Sequence, residues 1–126
     1  MARAERRRFM APEWAKEWPV AITICNEKGI ILEMNNRAVE TFADSGGENL
    51  IGTDVLDCHP QPARSKLKGL MDGRRTNVYT IEKAGRKKLI HQAPWYKDGR
   101  YAGFIELSFE IPRSMPHFNR DAGQNP

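Results

Sequence analysis

The period of the apolar residues changes along the chain, and each change marks an element. Pro12 and Glu13 punctuate a short helix that Pro19 stops, with Trp14 and Trp18 four apart on one face. AITICN and IILEM then flank Glu27-Lys28-Gly29, a β-branched pattern about a glycine turn that predicts a hairpin. From Asn35 the spacing becomes helical through Ala38, Val39 and Phe42, and this helix dissolves at Asp44-Ser45-Gly46-Gly47. Pro62 opens another helix, with Ala63, Leu67, Leu70 and Met71 at i, i+4, i+7 and i+8 and Gly73 closing it.

Three strands follow, VYTIE, LIHQAPW and YAGFIELSFEI, joined around Gly85 and through Lys97-Asp98-Gly99-Arg100. Connections this short make neighbouring strands antiparallel. In the last strand Ile105, Leu107, Phe109 and Ile111 share one face and Glu106, Ser108 and Glu110 the other, so the apolar row is expected to face the core. That phase points Lys88, Ile90 and Gln92 inward from the neighbouring strand, and Val78 and Thr80 from the one before.

The size of the chain narrows the classes. Its 126 residues, 40% hydrophobic and 29% charged, suit one soluble domain over residues 11–112, between a basic flexible arm (1–10) and a flexible tail (113–126). No apolar run reaches the ~20 residues of a membrane span, and the basic start leads into Pro12 and Glu13 instead of a signal-peptide core. The expected location is the cytoplasm. Cys25 and Cys58 offer neither a disulfide framework nor zinc spacing.

The net charge of +4 resolves into local clusters: Arg3 and Arg6 to Arg8, Arg74 with Arg75, and Lys83 with Arg86 to Lys88. Such clusters at turns and termini read as solvated faces, and nucleic-acid binding is kept only as a rival function. There is no G-x-S-x-G, H-E-x-x-H or Walker loop, and His59, His91 and His117 are scattered. The protein is expected not to be an enzyme.

The order of two strands, short helices and three strands closes into one antiparallel sheet if the first hairpin returns beside the last strand. At this level the chain resembles the PAS domain family over roughly residues 18–112. The resemblance rests on Asn26 and Gly29 in the hairpin, on Asn35, Ala38 and Phe42 as N-x-x-A-x-x-x-F, and on the Leu50-Ile51-Gly52 turn. Asp98, Gly99 and Gly103 complete it as D-G-x-x-x-G. Asp57 to Pro60, D-C-H-P, is similar to a prokaryotic subgroup of sensory PAS domains.

The resemblance implies an α+β fold, a five-stranded antiparallel sheet with short helices covering one face. It also implies a sensor or protein-interaction module that binds a small molecule or a partner and signals by association. No kinase, cyclase or helix-turn-helix segment follows Ile111, so the expectation is a stand-alone module. It is expected to form a homodimer through Trp14, Trp18 and the outer sheet face, where Phe104 and Trp95 are placed.

Cys25, Phe42, Val55, Leu67 and Met71 are the expected apolar walls of a ligand pocket, with Val78, Thr80, Ile90, Gln92 and Ile105 contributed by the sheet. Gln92 and Thr80 on an apolar face need a ligand or a local partner. No cofactor is assigned. The cysteine of flavin-binding relatives would fall near Val55, and Cys58 lies three residues later, so a flavin adduct is not expected. Haem is the rival cofactor, because the resemblance to oxygen-sensing members places an iron-ligating histidine near His59, beside the soft sulfur of Cys58. The competing structural reading has His59 bonding a carbonyl and Cys58 filling a small buried space.

Overall fold

In the computed structural model, which describes residues 12–121, α1 (Glu13–Lys16) leads into the hairpin of β1 (Ala21–Asn26) and β2 (Ile31–Met34). Next come α2 (Asn36–Thr41) and three 3-10 turns at Ala43–Ser45, Gly47–Leu50 and Val55–Cys58. α3 (Ala63–Gly73) precedes β3 (Asn77–Lys83), β4 (Arg86–Lys97) and β5 (Arg100–Glu110). The basic arm expected at residues 1–10 lies outside the described residues.

Local chemistry sets each connection. Asn26 Oδ1 accepts from the Lys28 and Ile30 amides at 2.9 and 3.0 Å, and Gly29 takes the left-handed position at φ 83° that reverses the chain. Ala84-Gly85 and Asp98-Gly99 have positive φ at both positions, the two-residue turn that matches strand twist. The strands therefore pair antiparallel, and β1 returns beside β5 to give the order β2-β1-β5-β4-β3. One expectation is corrected at α3. The left-handed residue at its end is Arg74 (φ 51°), beyond Gly73, and the Arg74 guanidinium lies over the Tyr101 ring at 4.4 Å.

Strand register corrects the phase of the sheet. Glu106 pairs with Thr23 and Gln92, and Ser108 with Ala21 and Ile90. Paired residues share a face, so the helix side carries Phe104, Glu106 and Ser108, not Ile105, Leu107 and Phe109. Gln92 and Ile90 do face the helices. On β3, Asn77 pairs with Gln92 and Tyr79 with Ile90, which sends Val78 and Thr80 to the outer face. Phe104, placed outside by the sequence pattern, is 4% exposed within the core.

Candidate functional site

The helix side packs as two apolar clusters. One contains Ala21, Ile31, Met34 and Ala38; the other contains Cys25, Leu67 and Phe104; Val55 packs against both. Between them lies a small cavity with ≈ 40 Å³ open to the centre of a water-sized molecule, room for roughly three waters.

Nine sequence-predicted residues line this cavity: Cys25, Phe42, Val55, Cys58, His59, Leu67, Met71, Gln92 and Ile105. Ile105 borders it from within the strand, because its pairing with Ala93 and Ile24 puts its side chain on the outer face. Three predicted residues are elsewhere. Ile90 lines an adjoining groove, while Val78 and Thr80 fall outside through the one-residue phase error on β3. Thr23, Ile31, Met34, Leu50, Phe104 and Glu106 also line the cavity and escaped the sequence reading. Glu106 and Phe104 were hidden by the reversed phase of β5.

The polar side chains of the wall form a cross-strand row. Register aligns Asn77, Gln92, Glu106 and Thr23 on four successive strands. Asn77 Nδ2 donates to Gln92 Oε1 at 3.1 Å, and Gln92 Nε2 donates to Glu106 Oε2 at 2.8 Å. Both amides are thereby oriented by their bonds, and Glu106 Oε1 has no hydrogen-bond partner among the described residues. A mostly apolar chamber with Thr23, Gln92 and Glu106 along one wall suits a small molecule with an apolar body and a polar group.

His59 stands where this cavity meets two outer grooves of ≈ 320 and ≈ 240 Å³. Its Nδ1–H donates to the Val55 carbonyl at 2.8 Å, and the same carbonyl receives the Cys58 thiol at 3.2 Å. Cys58 is exposed as a residue, so it is not a buried filler; desolvation of its sulfur beside the cavity nevertheless raises the thiol pKa. Burial raises that of Cys25 as well. Both therefore stay thiols near neutrality.

The inner chamber alone is far smaller than the roughly 300 to 1,000 Å³ of pockets that enclose drug-sized ligands.

No protein-family profile matches the sequence, and no curated protein matches it. Solved structures do. The PAS domain of BvgS from Bordetella pertussis superposes with a TM-score of 0.60 at 19% identity, over 78% of this chain and 81% of that one. The PAS domain of the histidine kinase ThkA gives 0.58 at 20% identity, over 71% and 97%. The Aer2 receptor of Vibrio cholerae, described as a dual PAS-haem oxygen sensor, gives 0.58 at 14% identity, over 74% and 95%.

The fold is that of a PAS domain. Within the PAS fold the motif residues have structural tasks. Asn35 caps α2 from a fully buried position and binds four main-chain groups, the amides of Ile22 and Ala38 and the carbonyls of Ala15 and Val20. Gly103 lets β5 approach β1 where the Trp95 indole, on the outer face, crosses to the Cys25 carbonyl at 3.0 Å. Trp14 and Trp18 meet edge to face at 5.7 Å yet remain 66% and 41% exposed. Several basic groups are engaged locally, Lys68 with Asp72, Arg86 with Glu110 and Arg113 with Glu82. Among the described residues no helix is long and apolar enough to cross a membrane.

Proposed function

We propose that this PAS domain is a sensory module whose cavity holds a molecule of a few heavy atoms, apolar in body and carrying one hydrogen-bond donor for Glu106. The observation that carries this reading is the Asn77–Gln92–Glu106 row, which orients Gln92 and Glu106 on the wall of a mostly apolar chamber. His59 closes the chamber toward the two grooves and is the group that must turn for a ligand to pass. Propionamide and xenon distinguish recognition from mere space. Gln92→Leu keeps volume but removes the group that orients Glu106, so calorimetry is expected to show propionamide binding weakened about tenfold. Xenon binding should be unchanged. Equal propionamide affinity in both proteins would remove Gln92 from the site.

The signal passes by association, and the second copy docks on Trp14 and Trp18. The helix ends at Lys16, short of the Pro19 stop expected from the sequence, so only Trp14 lies on it and Trp18 follows two residues later. Two exposed rings on so short a segment are an apolar feature that it cannot bury alone. Sedimentation of the wild type at micromolar concentration is expected to show a dimer, and Trp14→Ala with Trp18→Ala a monomer. A monomeric wild type refutes the docking assignment.

A further inference from the structure

The two edges of the sheet are finished differently. On β2 the edge is covered: Ile31 donates to the Thr53 carbonyl at 2.9 Å and accepts from Gly52 at 2.8 Å, and Ile30 pairs with Asp54. β3 forms the opposite edge, and among the described residues no main-chain hydrogen bond reaches it outside its ladder to β4. Its seven residues contain no proline and pair with β4 in unbroken register, whereas the β1–β2 and β4–β5 pairings both shift. Val78, Tyr79 and Ile81 are 52%, 39% and 36% exposed. Long, regular, apolar edges are what sheets normally blunt with bulges, prolines or inward charges.

The Ala84-Gly85 turn settles which backbone groups are free. In a two-residue hairpin the flanking pair, here Lys83 and Arg86, exchanges both hydrogen bonds, and pairs alternate from there. Ile81, Tyr79 and Asn77 therefore bond to β4, while Val78, Thr80 and Glu82 direct their N–H and C=O groups outward. Lys87, opposite Glu82, obeys the same alternation by turning its carbonyl to the Ile111 amide at 2.9 Å.

Side-chain space accompanies this free edge. The grooves of ≈ 320 and ≈ 240 Å³ both include Tyr79 in their walls. Lys83 and Lys88 line the larger, at the hairpin end, and neither has a carboxylate partner among the described residues. Asp44 and Glu106 also line it, with Glu106 toward the Gln92 end by register. Glu110, opposite Lys88 on β5, is engaged by Arg86, which leaves Lys83 and Lys88 as the cations at the hairpin end.

We propose that β3 is a strand-addition site for an extended segment of a partner protein, apolar at alternate positions and acidic at the end that meets Lys83 and Lys88. Main-chain bonds to Val78, Thr80 and Glu82 supply affinity, and the two grooves select the alternate side chains. The free edge is distinct from the Trp14 and Trp18 segment, and its two grooves adjoin the cavity at His59.

The probe is a fluorescein-labelled peptide, DEVTVTVT, whose acidic start meets Lys83 when it runs antiparallel to β3. Saturable anisotropy is expected with the wild-type protein. Thr80→Pro removes the central outward N–H without touching the β3–β4 ladder and is expected to weaken binding about tenfold or more. Lys83→Glu with Lys88→Glu should weaken it too, and a peptide starting with two lysines should bind less well. If Thr80→Pro loses the wild-type circular dichroism, Val78→Pro makes the same test. Absence of saturable binding, or equal binding by the wild type and the folded proline variant, overturns the proposal. So does sedimentation in which the wild type is a dimer and the folded proline variant a monomer, since the edge would then belong to a second copy.

Discussion

Asn35→Ala is expected to be among the most damaging single substitutions in this domain, at about 4 kcal/mol or a melting temperature lowered by roughly 15 °C. The side chain is 0% exposed and binds four main-chain groups at 2.8–3.0 Å. These groups belong to α1, the linker after it, β1 and α2, so a single amide ties the amino-terminal segment to the sheet. Removal takes the α2 cap away and leaves two N–H and two C=O groups without this partner where water is excluded. Chemical denaturation checks this. A loss below about 1 kcal/mol, the scale of one ordinary hydrogen bond, would mean that the four groups find other partners.

Gly103→Ala should cost about 3 kcal/mol or more. A Cβ there would collide with the Cys25 carbonyl oxygen and would lie 2.7 and 2.8 Å from Asn26 main-chain atoms, at a φ of 145°. These atoms belong to the neighbouring strand, so relief requires β1 to move away from β5 and from the Trp95 bond. Gly99→Ala is the comparison: its φ of 79° is also positive, but nothing lies within 4 Å of the added carbon. Strain alone is left there, at about 1 kcal/mol. Similar denaturation midpoints for the two variants would contradict the steric account.

The contrast between these glycines shows what the sequence conveyed. Gly99 announces itself, because Asp98-Gly99 between two strand patterns is a turn signal with a local cause. Gly103 was legible only through resemblance to other PAS sequences, since its reason is a chain almost eighty residues away. Element order, both tight turns and the antiparallel neighbours they join followed from local chemistry in the same way, whereas the return of β1 beside β5 rested on the resemblance; the structure has both.

The facing of β5 did not follow. Alternation separates Ile105, Leu107 and Phe109 from Glu106 and Ser108 but does not say which row the helices cover. Here the covered row is the more polar one, because Glu106 is bonded by Gln92 and the row belongs to the site. The apolar row lies on the outer face, half-exposed. Apolar walls such as Phe42, Leu67 and Met71 were readable from helical spacing, whereas Glu106 needed the register of three strands.

The central claim is that the cavity between the two core clusters takes up a small molecule. Met34 and Met71 line it and Met115 is exposed elsewhere, so methionine-methyl spectra observe the chamber with an internal control. Titration with propanol, propionamide and propylamine, molecules of about four or five heavy atoms that match a chamber for roughly three waters, is the direct measurement. Saturable shifts of Met34 and Met71 by at least one of them, with Met115 unmoved, are the predicted result. Met34 and Met71 signals that stay in place at every concentration leaving the protein folded, or that drift linearly together with Met115, would contradict it.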